Sequence, residues 1–477
     1  MTNEEKNNQF SAFDGKLLHP SLDIRDGLLC LGFRYRAQYQ EEREIFLIVN
    51  NGNVQMVTDE SFEVDGQRFY FEKRNRKLIR LEEKWGVDMM KQFVDDYSKG
   101  KSIIPSTKEV FQEIVKHTQR YIELECEIDY YLLTAWALGT YFSPTFNAYP
   151  FLHIKAPKRS GKSQCLNLMC QLCFNAIKAH PSLAALGDTV DSLRGTYLID
   201  QADSLNRKGG EELLNILADS YKKSGGKRRV VDFDKRKGRR VLEFETYSPK
   251  VFASIKELPE DLRDRCLVIP LIRSQKNFPD PDDYNTDWSE LRAKIYKLLI
   301  ANYSVISSTY SVKKIGYRNK HEIFGRELEL WLPFEVILEC FGIQDRIDEA
   351  KKRFKIQYGF SEYEPSEFEE AVIQVVLNQL QDKQTVILTP KEISELVDSE
   401  LYAPSDTAKQ RAAKVGWVIK KFNLSSEKRP RTKEGMQYVF VKQKVEEVNK
   451  GYCKTVIEPT PHTPTTDEAE NIDKLLM

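Results

Sequence analysis

Tyr149-Pro-Phe-Leu-His-Ile-Lys-Ala-Pro-Lys-Arg-Ser-Gly-Lys-Ser-Gln164 is the stretch on which the fold turns. The apolar run Pro150 to Ile154 reads as a strand, Ser160-Gly161-Lys162-Ser163 as a tight turn, and Cys165 to Phe174 as a helix. Strand, loop and helix in that order suit phosphate binding. Successive backbone N–H groups and the helix N-terminus face phosphate oxygens, a lysine reaches the β- and γ-phosphates, and a hydroxyl holds Mg²⁺. Lys162 and Ser163 are placed for the last two roles. The loop itself would be Ala156, Pro157, Lys158, Arg159, Ser160, Gly161, Lys162, Ser163 and Gln164. Ala156 stands where the usual G-x-x-x-x-G-K-[ST] spacing has its first glycine. The bland alternative is a chance Gly-Lys-Ser in a surface turn. The flanking strand and helix, with an acidic strand downstream, favour a site for ATP and Mg²⁺.

That acidic strand is Gly195-Thr-Tyr-Leu-Ile-Asp-Gln-Ala-Asp203. A carboxylate at the end of an apolar strand holds Mg²⁺ beside a nucleotide, which is the role expected of Asp200. ATPases of this type usually carry a glutamate next, to polarise the attacking water. Here the residue is Gln201, whose amide orients water without accepting its proton, and Asp203 is the nearby carboxylate able to compensate. Val251-Phe-Ala-Ser254 reads as another buried strand, with Ser254 where a polar group senses the γ-phosphate. Arg263 and Arg265 then precede the apolar strand Cys266 to Leu271, and a local pair with Asp261 or Asp264 is the plainer reading of either.

Between these strands runs a basic segment. From Lys222 to Arg240 there are ten Lys or Arg against two Asp, and alternation at Val230-Val-Asp-Phe233 and Val241-Leu-Glu-Phe244 predicts a β-hairpin. Its tip gathers Lys235, Arg236, Lys237, Arg239 and Arg240. Like charges so crowded repel one another and gain most against phosphates, which favours a nucleic-acid contact over a solvated turn. Inside a ring of subunits such hairpins would line a channel for single-stranded DNA.

Phosphate loop, acidic strand, basic hairpin, polar strand and Leu262-Arg-Asp-Arg-Cys266 together resemble the MCM-like AAA+ helicases of mobile genetic elements. These include the self-loading helicases of staphylococcal cassette chromosomes and related phage and plasmid replication ATPases. The resemblance spans about residues 110 to 334. It implies an α/β fold, a P-loop AAA+ ATPase core with a helical lid; the strand-like pattern before that span and the three helices and basic hairpin after it read as a small β-rich N-terminal domain and a C-terminal winged helix. It also implies a hexameric ring acting on single-stranded and forked DNA with other replication proteins of the element. By that resemblance Arg265 is an arginine finger acting in trans and the hairpin touches DNA in the pore. Gly325-Arg-Glu-Leu-Glu-Leu-Trp-Leu-Pro-Phe334 is similar to the lid helix, making Arg326 a second sensor, with a surface pair to Glu322 or Glu329 as the alternative. Gln201 departs from the family pattern and bears on turnover more than on binding.

The remaining segments divide as follows. Residues 1–15 are expected to be a disordered tail, 16–105 a β-rich domain, and 106–275 a helical entry plus the ATPase core with its hairpin at 222–245. Residues 276–362 would be the lid, 363–450 the winged helix, and 451–477 a second tail rich in Pro, Thr and acidic residues. In the β-rich part Asn51-Gly52 and Asp65-Gly66 are turn signals, and Lys73, Arg74, Arg76, Lys77 and Arg80 are either a phosphate contact or a solvated face. Lys409, Arg411 and Lys414 are expected on the exposed side of a third winged-helix segment, suited to a major groove. Winged helices also serve as protein contacts. Equal counts of Lys+Arg and Asp+Glu, 72 each, leave any polyanion contact to local patches. Of eight cysteines only Cys170 and Cys173 form a C-x-x-C, inside an apolar helical run, which points to packing rather than zinc. No signal-like leader or run of eighteen apolar residues occurs, so no membrane contact and a cytoplasmic location are expected.

Overall fold

The computed structural model of the chain describes residues 15–36, 42–72, 85–101, 103–157, 160–178, 183–206, 211–234, 238–271, 273–281, 287–317, 325–357, 366–422, 424–432 and 435–452. The chain divides into two compact units, residues 1–360 and 361–477. The expected tails and the basic cluster Lys73 to Arg80 lie outside the described residues, apart from Gly15, Gly451 and Tyr452.

The N-terminal strands are Lys16–Leu18 (β1), Leu22–Arg25 (β2), Leu28–Arg36 (β3), Glu42–Asn50 (β4), Asn53–Val57 (β5), Ser61–Val64 (β6) and Gln67–Phe71 (β7). They form two sheets, ordered β2-β3-β4-β5 and β1-β7-β6. Both predicted hairpin turns form, with positive φ at Asn51 and Gly52 and at Asp65 and Gly66. β3 reads Leu-Leu-Cys-Leu-Gly-Phe because both of its faces are buried. Leu29, Leu31 and Phe33 join one core, while Leu28 and Cys30 join another shared with β7. The first core is continuous with the rest of residues 1–360. Trp85 stacks on Tyr296 at 5.2 Å and Phe33 meets Trp85 edge-on at 5.8 Å. Residues 16–105 therefore share the main core and do not form a compact unit of their own.

Helices Val87–Ser98 (α1), Thr107–Tyr121 (α2) and Glu127–Gly139 (α3) lead into Phe151–Lys155 (β8). Then come Lys162–Leu172 (α4), Ile177–Lys178 (β9), Leu183–Leu193 (α5), Tyr197–Ile199 (β10) and Glu211–Asp219 (α6). The hairpin Lys227–Asp234 (β11) and Gly238–Glu245 (β12) follows, then Lys250–Ser254 (β13), Glu260–Arg263 (α7) and Cys266–Pro270 (β14). The central sheet is ordered β14-β8-β13-β10-β9, and every pair in it is parallel. This is a mixed α/β fold, and a parallel sheet of this kind presents its ligand site at the carboxyl ends of its strands. Helices Trp288–Tyr317 (α8), Gly325–Cys340 (α9) and Ile347–Gln357 (α10) complete the unit.

The second unit has its own core, including Val372, Ile393, Val415, Ile419 and Phe440. It runs Glu367–Gln379 (α11), Thr385–Leu388 (β15), Pro390–Leu396 (α12), Ala408–Lys421 (α13), Ser425–Thr432 (β16), Gly435–Val441 (β17) and Lys442–Tyr452 (α14). Thr389 caps α12 through a reciprocal bond with Glu392, with Pro390 in the first turn, as the sequence predicts. β15 and α14 are absent from the sequence reading. β15 completes an antiparallel sheet ordered β15-β17-β16.

Candidate nucleotide and nucleic-acid site

The carboxyl edge of the sheet assembles the first group of predicted residues. Register places Ser254 beside Lys155 and Ile199 beside Phe252, so Ala156, Ser254 and Asp200 emerge at neighbouring strand ends. The backbone N–H of Ala156 donates to the Ser254 carbonyl at 3.2 Å. Gly161 sits at φ +80° as N-cap of α4, a left-handed conformation that disfavours residues with a Cβ. α4 starts at Lys162, three residues earlier than the sequence suggested, so Lys162 and Ser163 lie in its first turn. No side chain caps that turn and no acidic residue lies in it. The first N–H groups of a helix lack intrahelical acceptors, and its dipole makes that end favourable for an anion. Lys162 Nζ folds over the loop, donating to the carbonyls of Ala156 at 2.8 Å and Pro157 at 2.7 Å. Burial lowers the Lys162 pKa against the pull of Asp203 and Asp200. The buried Ser160 hydroxyl has no partner among the described residues. Gln164 donates to the Pro279 carbonyl at 2.7 Å, and Pro157 is exposed. Lys158 and Arg159 lie outside the described residues.

Beside the loop, Asp200 accepts the N–H of Gln201 at 2.9 Å and lies 3.8 Å from Lys178 Nζ. Gln201 has φ +54°, a conformation that costs a side-chain-bearing residue free energy and is concentrated at functional sites. Asp203, expected to compensate for Gln201, is engaged elsewhere. Its carboxylate accepts the N–H of Lys256 at 2.8 Å and of Ile255 at 3.0 Å, tying down the loop after β13. Burial opposes its ionisation, yet those bonds and Lys162 outweigh it and hold its pKa below the usual value. Ser254 is buried and donates to the Lys256 carbonyl at 2.6 Å, so reaching a γ-phosphate requires releasing that bond. Its oxygen accepts from His153 Nε2 at 2.7 Å.

His153 was not among the sequence candidates. The donor–acceptor chain fixes it as the neutral Nε2–H tautomer, and its Nδ1 is buried without a partner among the described residues. Burial lowers its pKa to about 4, and Glu257 and Asp203 only partly oppose this. Lys155 and Glu257 form an ion pair at the same edge. A histidine inside an apolar strand carries no sequence signal until the neighbouring strand is known.

The arginines are elsewhere. The Arg265 carbonyl accepts the N–H of Phe151, the first residue of β8, whereas the phosphate loop follows its last residue. The two ends are about 13 Å apart along the strand. Arg265 therefore lies at the amino edge of the sheet, away from its own chain's loop. It donates to the Asp261 carbonyl and stacks over the Tyr221 ring at 5.3 Å, while its buried Nε has no partner among the described residues. Arg326 pairs with Asp264 and lies over the same ring at 5.9 Å. Of the two carboxylates expected for it, Glu329 instead takes Lys222 and the Tyr221 hydroxyl, and Glu322 lies outside the described residues.

The hairpin pairs in register from Lys227 with Glu245 to Asp234 with Gly238. Lys235, Arg236 and Lys237 lie outside the described residues. Arg239 is exposed, and Arg240 lies opposite Asp232. At the base, Glu243 holds Lys227 at 2.5 Å and Arg229 at 3.0 Å, so part of the positive charge counted in the sequence is neutralised. The exposed face also carries Val231 and Val241 side by side. Arg194, at φ +45°, anchors the hairpin root. It reaches Glu245 at 2.7 Å and Asp23 of β2 at 3.2 Å, linking hairpin and N-terminal strands.

In the second unit, Lys409 is exposed, but two of its expected companions are not free. Arg411 is half-buried over the Tyr402 ring at 4.9 Å, and Lys414 pairs with Asp406. Lys414 is exposed as expected, whereas Arg411 is not, because helical spacing alone does not reveal Tyr402 packing under it.

No family model matches the chain, and no curated protein matches it. Among solved structures, it is similar to the NrS-1 C-terminal region, at 9% identity and a TM-score of 0.34, covering 86% of this chain and 96% of that one. An MCM homologue from Methanopyrus kandleri gives 8% identity and a TM-score of 0.34, covering 69% and 77%. The JCV helicase gives 16% identity and a TM-score of 0.19, covering 57% and 75%.

Proposed function

We propose that this chain is a ring-forming, hexameric AAA+ ATPase that hydrolyses ATP to translocate on single-stranded DNA and open forked duplex during replication of a mobile element. The observation that carries the reading is the loop from Ala156 to Ser163, with left-handed Gly161, an uncapped helix N-terminus and Lys162 at the same sheet edge as Asp200. The Ser160 hydroxyl, buried without a partner among the described residues, and the helix N-terminus at Lys162 fit a bound polyphosphate. Ser163 and Asp200 would hold Mg²⁺, which supplies charge neutralisation at the β- and γ-phosphates when bound. Lys162 would leave the Ala156 and Pro157 carbonyls for those phosphates. Gln201 would orient water, and Ser254 would exchange Lys256 for the γ-phosphate. Arg265 and Arg326, remote from their own loop, suit donation into a neighbouring subunit's site, where they would stabilise charge developing in phosphoryl transfer. The hairpin tip, the second unit as a winged helix, and the element's other replication proteins complete the proposed assembly.

A second reading is favoured by Gln201 and by the engagement of Asp203 with backbone. It is a DNA-binding initiator or regulator that uses ATP as an assembly switch with little turnover. ATP turnover with and without single-stranded DNA, beside Lys162→Ala, separates them. Turnover that rises with DNA and vanishes in the variant supports the motor. Saturable binding and assembly without turnover supports the switch, and no saturable ATP binding rejects both.

A further inference from the structure

A cavity of about 570 Å³ lies far from the phosphate loop, between the β2–β3 turn, the segment before β8, Lys223 and α8. It falls in the range of small-molecule sites, which favour crevices between substructures. Lys223 follows Lys222, which bridges to Ala148 ahead of β8, so the cavity belongs to the amino edge of the sheet. The phosphate loop is at the other edge.

The cavity wall is cationic. Arg25, Lys223 and Lys314 line it against one carboxylate, Asp26, which is already paired with Lys16 at 2.7 Å. Arg25 reaches Asp23 at 3.5 Å. Neither Lys223 nor Lys314 has a carboxylate partner among the described residues. Lys223 donates to the Pro144 carbonyl and lies 5.9 Å over the Tyr247 ring, while Lys314 lies 6.0 Å over the Tyr310 ring. A partly desolvated ammonium without a counter-charge is costly, and an anion in the cavity would relieve that cost. Thr145, Ser307 and Ser311 add hydroxyls to the lining, Thr145 with Ser307 at 3.3 Å and Ser311 donating to the Ser307 carbonyl at 2.9 Å, and Ile24, Pro144 and Ile315 add apolar wall. Cations, hydroxyls and apolar surface together match a phosphate ester carrying an organic group, since phosphate alone would leave the apolar wall unused.

We propose that this cavity binds a nucleotide-sized phosphate ester through Lys223, Lys314 and Arg25, as a second anion site distinct from the phosphate loop. The ester is either a free phosphorylated molecule or one nucleotide unit of a strand, and the chemistry recognised is the same. Burial lowers the Lys223 pKa to about 8, with Arg194 and Arg25 lowering it further and Asp23 and Glu245 opposing. An anion bound there raises it again, so binding near pH 8 takes up protons.

The test uses the full chain carrying Lys162→Ala, which removes the loop lysine and makes the result independent of ATP turnover. Inorganic pyrophosphate and the dinucleotide pTpT are titrated calorimetrically at pH 8 in two buffers of different ionisation heat. Saturable binding with net proton uptake is expected. Lys314→Ala should weaken binding about tenfold or more. Lys223→Met, which keeps the side-chain stem, should do the same and abolish the proton uptake. Displacement of pTpT by a thymidine 20-mer assigns the ester to a strand, whereas failure to displace it assigns the site to a free phosphorylated molecule. The proposal is overturned if neither probe binds saturably, or if both variants bind as the parent does.

Discussion

Arg265 and Arg326 share one aromatic ring: their guanidinium carbons lie 5.3 and 5.9 Å from the centroid of Tyr221. The two come from positions sixty-one residues apart, and Asp264 binds one while adjoining the other in sequence. Tyr221 precedes Lys222, which bridges to Ala148 just ahead of β8, so both arginines are held at the edge opposite the phosphate loop.

That placement predicts activity shared between subunits. Arg265→Ala should lower turnover by about 10³-fold, the lower end for an arginine supplied in trans. Arg326→Ala should also lower it, by less. Lys162→Ala and Arg265→Ala should each be nearly inactive alone, yet co-expressed they should recover part of the activity in mixed rings. Mixed assemblies no more active than either variant would reject the assignment in trans.

Gln201 sets the second expectation. A carboxylate at this position can accept the proton that an amide only orients, and a positioned general base contributes about 10²–10⁴-fold. Gln201→Glu should therefore raise single-turnover ATP hydrolysis by about 10²-fold while leaving ATP affinity within a few-fold. An unchanged rate would mean that water is activated by another group.

His153 makes the fold sensitive to acid. Its pKa falls from 6.5 unfolded to about 4 folded, so between those values the unfolded chain binds more protons and stability rises with pH. The contribution is fully present above about 6.5 and is lost as pH falls toward 4, amounting to roughly 3 kcal/mol at most. Thermal midpoints of the wild type should fall across that window more steeply than those of His153→Gln. Parallel profiles would show that the Ser254–His153 bond does not control this edge.

For the hairpin the readout is salt. Arg239 is exposed and lies opposite Phe233 in the ladder, whereas Arg229 is held by Glu243. Arg239→Ala should reduce the slope of log affinity for single-stranded DNA against log salt by about one, and Arg229→Ala by less. Equal slopes in both variants and the wild type would remove the hairpin from the DNA path.

Local chemistry made part of this protein legible from its residues alone. Gly161-Lys-Ser163 between an apolar strand and a helix, Asn51-Gly52 and Asp65-Gly66 between strands, and Thr389-Pro390 before a helix each require particular backbone conformations, so residue type discloses local structure. The apolar runs at Leu28 and Phe151 likewise announce buried strands. Other features depended on which segments meet in space. The strand order brings Ser254 between Ala156 and Asp200, and with it His153 and Asp203 become the supports of that edge. The segment before α13 places Tyr402 under Arg411 and Asp406 beside the exposed Lys414, and the placement of Tyr221 gathers Arg265 with Arg326. A side chain's charge is written in the sequence; whether that charge is paired, buried or free is decided by neighbours that only the tertiary fold supplies.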